Sequence, residues 1–448
     1  MVEEEQYGLY RYRWVVLGAF MVIGALTQLM WLNYASITST TGAGASHLVG
    51  VADIMHVSTF KITQLANVIT LLYIPISIPA GIVIDRKGFR YAVMIGAVFT
   101  AAFSFLRLFT GNYALVFIGM IGIGIGQPFV LNAITKMVAA WFPTDESALA
   151  TGIATLSLFL GMIIALALTP ELLKVFGDNM TGLRWLILAY SIVATGGAVL
   201  FWMFAKAKPP KPPKRTEQEL QEEGAAINWA SFRKIFKLYD FKLLCTIMFI
   251  GNGAIVGIFQ LIDQILKPKQ ISSTTSGLIG AVMVIAGVIG CVVLPSLSDK
   301  FRRRKPFIVL SALVGIPTMF LLAQLSSVAQ IYIVSVVTGF FLFAAYPLVL
   351  TMTEETTGHG LTGTATSILL LLGNLGGVVI TLVMEGLKTA TGGANNSFYW
   401  SMIFLVLLFV VALVCSLLLR EKNARFGNDV DASASGGSAG SGTLGQSG

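Results

Sequence analysis

Along the apolar stretch 14–38, Thr27, Gln28, Trp31, Tyr34, Ala35 and Thr38 recur at i, i+3 and i+4, the spacing that puts side chains on one helical face. An indole face attracts a quaternary ammonium without a buried counter-charge, so Trp31 and Tyr34 could give an organic cation its aromatic surface, with Gln28 a further contact on the same face. The stripe reads equally as helix packing, with Trp31 in an interfacial aromatic belt. Gln127 stands between Gly122, Gly124, Gly126 and Pro128. The glycines suit close helix approach, whereas a mid-span amide needs partners and is a candidate solute contact. Asn132 and Lys136 share a lower face; Lys136 either meets a gate carboxylate or extends to headgroups. Farther on come Asn252, Gln260, Asp263 and Gln264. Asp263, a carboxylate inside an apolar span, is a functional candidate, although Lys267 at i+4 offers it an ordinary ion pair. Tyr346, before Pro347, and Asn374, within Gly373–Gly377, complete the solute-binding set. Glu354, Glu355 and His359 read as solvated or gate residues.

Other chemistries lack their residues. No phosphate-cradling loop occurs, and Cys245, Cys291 and Cys415 lie inside apolar runs without metal-ligand spacing. No Ser/His/Asp set gathers on one side. The expectation is no catalytic residue, no metal and no cofactor, hence neither an enzyme nor an ATP-driven pump. The first six spans hold no central carboxylate, which points to facilitated or weakly coupled movement.

The elements that must position these side chains are membrane spans. Of the 448 residues 55% are hydrophobic and only 12% charged, half the charge of an ordinary soluble domain. The apolar residues form runs long enough to cross a bilayer as helices, near 14–38, 61–84, 91–110, 113–136, 148–170 and 183–204, then 243–265, 276–297, 306–324, 330–352, 362–386 and 397–419. The reading is an all-α membrane protein with twelve spans, six and six: a first bundle over 1–205, a linker over 206–242, a second bundle over 243–425 and a flexible tail over 426–448. The linker starts Pro-rich and charged. From Ile227 to Leu244 it places Trp229, Phe232, Ile235 and Phe236 on one face, as an interfacial amphipathic helix does.

The net charge of +8 could suggest nucleic acid, but most Lys and Arg fall on one side of the alternating spans, as the positive-inside rule requires of the cytoplasm. Lys61, Arg107, Lys174, Arg184, Lys267, Lys269 and Lys388 fall on the other. Both termini are therefore expected in the cytoplasm, the location in the plasma membrane, and the partners to be a small solute and lipid, with no nucleic acid. A monomer is expected.

Two charged turns mark the mechanism. Gly81-Ile-Val-Ile-Asp85-Arg86-Lys-Gly88-Phe-Arg90 follows the second span, and Asp299 with Arg302, Arg303 and Arg304 stands at the equivalent place after the eighth. Matched turns of this kind indicate an internal duplication and a gate that latches one conformation. They resemble the signature loop of the major facilitator superfamily, in a degenerate copy in the second half, where the glycines are missing. The resemblance implies two six-helix bundles about a pseudo-two-fold axis, with a central cavity exposed alternately to each side. RYRWVVLGAF, WLNYASI, GQPFVLNAITKMVAAWF and FKLLCTIMFIGNGAIVGIFQ further resemble the feline leukaemia virus subgroup C receptor-related transporters, a family associated with choline and ethanolamine and in some members with haem export. That resemblance makes Trp31 the cation-caging tryptophan and Gln127 the substrate-contacting glutamine. It departs in the seventh span, where Asn252 or Gln260 stands for the family's aromatic residue. An organic anion or neutral metabolite held by Lys136 and the amides is the alternative cargo, and a ligand sensor without transport is a third reading.

Overall fold

The computed structural model describes residues 10–40, 48–211, 234–357, 361–391 and 398–420. Its twelve spans are α1 (Arg13–Leu32), α2 (Thr59–Lys87), α3 (Phe89–Leu106), α4 (Tyr113–Leu131, continued by a short helix Ile134–Trp141), α5 (Thr144–Phe176) and α6 (Met180–Phe204). Then follow α7 (Tyr239–Leu266), α8 (Ser273–Phe301), α9 (Lys305–Gln324), α10 (Val328–Thr357), α11 (Thr362–Ala390) and α12 (Tyr399–Leu418). All twelve are long and apolar enough to cross a membrane. Several overrun the expected bounds: α5 continues past 170 to Phe176 and α10 past 352 to Thr357. Hydropathy marks the lipid-facing length of a helix, whereas backbone hydrogen bonding carries it on through polar turns.

Local sequence sets the helix ends. At one end of the molecule Ser58, Asn112, Asn179 and Ser272 cap α2, α4, α6 and α8 by accepting backbone N–H groups, which would otherwise lack partners at a helix start. We call this the far end. At the opposite, loop end, α2 passes into α3 through Gly88, whose φ of 83° an L side chain rarely adopts. The expected amphipathic helix is corrected where it can be seen: the chain breaks at Leu238 into extended backbone, and α7 starts afresh at Tyr239. Trp229 and Phe232 lie outside the described residues, as do His359 and the tail.

The two halves repeat one packing plan. Helix α1 packs on α5, α2 on α4 and α3 on α6; six places on, α7 packs on α11, α8 on α10 and α9 on α12. The core then divides by depth. In the far half one continuous apolar cluster takes side chains from both bundles, from Leu29 and Ile123 to Phe259 and Met384. In the loop half there are two clusters, one built from residues 16–205 and the other from 235–419. The bundles are therefore joined at the far end and packed separately at the loop end.

Candidate functional site

The closed far end is held by a polar seam. Thr59 and Thr63 of α2, Gln264 of α7, and Glu385 and Lys388 of α11 meet in a place where all but Thr59 are buried. The Thr63 hydroxyl donates to Glu385 Oε1 at 2.8 Å and accepts from Gln264 Nε2 at 2.8 Å. Lys388 Nζ donates to Gln264 Oε1 at 2.6 Å and to Thr59 Oγ1 at 3.1 Å. It also lies 3.7 Å from Glu385 Oε2 and 4.8 Å from the centre of the Phe398 ring. One helical turn inward, Gln260 Nε2 donates to Thr70 Oγ1 at 3.2 Å. Asp263 completes the seam: Oδ2 accepts the Ser39 N–H at 2.7 Å and Oδ1 the Ser273 hydroxyl at 2.8 Å. Its bonds thus run to the opposite bundle and to α8, not to Lys267, which is exposed. The ordinary i+4 ion pair offered by the spacing does not form, because Asp263 points into the interface.

Two of the cations counted on the far side of the spans are buried. Arg107 is 0% exposed and Lys388 is buried. Burying a charge demands partners. Lys388 has the seam, whereas Arg107 has the ring of Tyr34 at 4.7 Å, its hydroxyl at 3.3 Å and Met30 Sδ at 3.2 Å. That arrangement changes the role of Tyr34. Its ring face is taken by a guanidinium of the protein's own and it is 2% exposed, so it does not present an open aromatic surface beside Trp31.

The amides of the N-terminal bundle differ. Gln28 and Gln127 are only 6% and 5% exposed, yet neither makes a hydrogen bond among the described residues and neither has a fully sealed polar atom. A buried amide in that condition faces accessible space. Trp31, 9% exposed, keeps its indole N–H sealed and without a partner. Below them the Tyr73 hydroxyl donates to Asn132 Oδ1 at 2.6 Å. The glycine runs around these residues pack as read: a Cβ on Gly126 would stand 2.7 Å from Gly96 O, and one on Gly376 2.1 Å from Phe249 O.

In the C-terminal bundle the candidates separate. Asn252 and Tyr346 line one cavity between α7, α9, α10 and α12. Asn374 spends an amide hydrogen on Leu370 O of its own helix at 2.9 Å. Gln260 is buried in the seam, with Oε1 left unpaired. The floor between the bundles is aromatic: Phe343 makes edge contacts with Phe159 at 5.6 Å and Phe259 at 5.7 Å.

At the loop end, the gate candidates bond within their own bundles. Lys136 approaches Asp85 to 3.8 Å, so it meets a carboxylate instead of only reaching headgroups. Arg90 donates to Trp202 O at 3.1 Å, tying α3 to α6. Gly81 has open space where a Cβ would lie, and Arg86 is exposed. In the second half Asp299 pairs with Arg304, which also reaches Glu355 at 3.1 Å. Burial opposes the Arg304 charge, yet its bonds to the two carboxylates raise its pKa above the ordinary value. Arg302, in left-handed backbone, and Arg303 are exposed; Arg304, not these two, pairs with the carboxylates of this half.

Sequence reasoning passed over Glu385, Lys388, Thr63, Ser39, Ser273 and Arg107. The i, i+3 carboxylate and ammonium at 385 and 388 were a usable signal, straddling the expected end of the eleventh span. Their partners on α2 come from a different part of the chain and carry no spacing signal.

The comparisons agree with this architecture. The Major Facilitator Superfamily model matches residues 15–381 and again 270–438. The choline/ethanolamine transporter flvcr2a of Danio rerio is 24% identical, over 95% of this chain and 91% of its own. Choline/ethanolamine transporter FLVCR1 of Felis catus is 25% identical, over 91% and 74%. An uncharacterized MFS-type transporter of Caenorhabditis elegans, C09D4.1, is 26% identical, over 92% and 70%. Among solved structures, an inward-facing, unoccupied bacterial homologue of the human lysosomal transporter Spinster superposes with a TM-score of 0.72 at 17% identity, covering 92% of this chain and 98% of that one. Twelve spans, two repeated bundles and these matches lead to one statement: the chain belongs to the major facilitator superfamily.

Proposed function

We propose that this secondary transporter carries a small organic amine or amino alcohol, of the choline or ethanolamine kind, by alternating access across the plasma membrane, as a facilitated or weakly coupled carrier. The observation that carries the reading is the pair of unpaired amides of the N-terminal bundle, Gln28, one turn before Trp31 on α1, and Gln127 on α4, a helix that α1 contacts. A hydroxyl on the solute satisfies an amide, and an ammonium takes the indole face, a contact worth about 0.5–2 kcal/mol. The names of relatives such as flvcr2a support that solute class. Against the organic-anion alternative stands the Asp85 carboxylate, 3.8 Å from the Lys136 ammonium, which disfavours a second anion there.

In this reading the loop end lies in the cytoplasm with both termini, and the conformation is open inward. Solute enters between the separated loop-half clusters and stops at the closed seam. Switching requires the Thr63, Gln264, Glu385 and Lys388 bonds to give way to water as the far end parts, while the Asp85 and Asp299 turns approach each other. Such rocking trades one set of hydrogen bonds for another, so the solute's differential affinity has only a small gap to overcome.

Counterflow of labelled choline in sealed proteoliposomes tests the proposal. Saturable exchange that falls at least about tenfold in Trp31→Ala, the loss of about 1.4 kcal/mol, is expected. Exchange by Trp31→Ala at the unaltered rate contradicts it.

A further inference from the structure

One cavity is lined by side chains of the C-terminal bundle alone, from α7, α9, α10 and α12. Its volume is about 30 Å³, above the roughly 10–15 Å³ that one water needs. Ile255, Leu342, Phe409 and Ala412 make its walls apolar. Protein interiors are otherwise close-packed, and an unfilled cavity lowers stability in proportion to its size. Beside it Ile250, Ala312 and Ala412 form a small cluster of their own, which shares Phe249 and Leu408 with the large far-half core.

The polar groups on its wall are also unspent. Ser311 is 3% exposed and its hydroxyl has no partner, as is also true of the buried Ser276 and Ser335 hydroxyls elsewhere. Asn252 and Tyr346 likewise make no side-chain hydrogen bond among the described residues. The cavity has a direction. Its α9 and α12 walls, Ser311, Ala312, Phe409 and Ala412, are buried, whereas Gly251 and Asn252 of α7 and Ala345 and Tyr346 of α10 are partly exposed. Those two helices are the ones that reach the N-terminal bundle, α7 through Asp263 and α10 through Phe343.

The geometry points to a subsite in the C-terminal bundle that takes a short hydrocarbon substituent of an amphipathic amine, entering between α7 and α10 past Asn252 and Tyr346. This rests on the amine reading above and narrows it. The carrier prefers amino alcohols bearing an alkyl chain to bare choline. Asn252, partly exposed on the cavity wall, makes a polar doorway to an apolar room.

The test is thermal stabilisation of the purified full-length protein by a homologous series of N-alkyl-N,N-dimethylethanolamines, methyl to hexyl, beside choline counterflow. Half-maximal concentration should fall about threefold for roughly the first one or two added methylenes, as many as a cavity of about 30 Å³ can take, and then level off. Ala312→Leu, which fills the cavity from α9, should abolish that dependence on chain length. Ala412→Val, which fills it from α12, serves if Ala312→Leu does not purify as a single species, and each variant's own melting transition is the folding control. No dependence in the unaltered protein, or the same dependence in the filled variant, overturns the subsite. Choline exchange without a chain-length effect removes the subsite and leaves the amine reading standing. A chain-length effect that the filled variant loses, without choline exchange, removes choline as cargo and leaves the subsite standing.

Discussion

Two seams join the bundles in the far half, and they are built from opposite materials. Between α5 and α8 the contact is bare: a Cβ on Gly277 would stand 2.1 Å from the Leu166 carbonyl oxygen, and one on Gly280 3.1 Å from the Leu166 side chain. Between α2, α7 and α11 the contact is a chain of hydroxyls, amides and one ion pair. Backbone approach through glycine depends on shape and has no alternative partner in water. Hydrogen bonds exchange with water at a net cost of about 0.5–1.5 kcal/mol each. We propose the α5–α8 seam as the fulcrum and the α2–α7–α11 seam as the part that opens.

Breaking the fulcrum should have the largest effect. Gly277→Val forces the helices apart, and we expect a loss of about 4 kcal/mol or more, read as a lowered melting midpoint together with lost exchange. A variant that melts and transports normally would take α5–α8 out of the fulcrum role. Next comes Lys388→Met, which leaves Glu385 buried without its ammonium. Removing one partner of a buried pair costs about 3–5 kcal/mol. Because these groups are buried in the closed far end, the loss should fall on that state, visible as faster thiol labelling of a cysteine placed at Ala66, which is buried and makes none of the seam's bonds. The double variant Glu385→Gln with Lys388→Met should recover part of the closure, and failure to do so would mean that the pair is not acting as a pair. Gln264→Leu leaves the Thr63 and Lys388 bonds unmade and should cost about 1–3 kcal/mol, by the same labelling assay. Asp85→Asn should do least to this state. The Asp85 side chain is 70% exposed at 3.8 Å from Lys136, a contact worth about 0–1 kcal/mol, so a small change in labelling is expected at the far end.

The twelve spans were legible because lipid leaves helices as the economical way to satisfy a backbone, and that requirement writes itself as apolar length. The duplication was legible in Asp85 and Asp299, which are local. The seam was not. Glu385 and Thr63 are 322 positions apart, and neither shows its partner in its own neighbourhood. Arg107 shows a second limit. Its place at a span end resembles that of any topological cation, and only the fold reveals that it is sealed against Tyr34. Trp31, Gln28 and Gln127 were readable as polar or aromatic interruptions of an apolar helix. Which of the amides is spent in the seam, as Gln260 is, and which is left open depends on helix rotation and on the partner bundle.

The central claim is that the polar seam holds the far end shut while the loop end stands open. Pulsed dipolar spectroscopy on spin-label pairs at Lys61 with Lys267 and at Lys87 with Lys300, all four exposed, measures both ends at once in reconstituted protein. Introducing Lys388→Met should lengthen the first distance and shorten the second in the same molecules. Unchanged distances at both ends, or a change at one end alone, would contradict it.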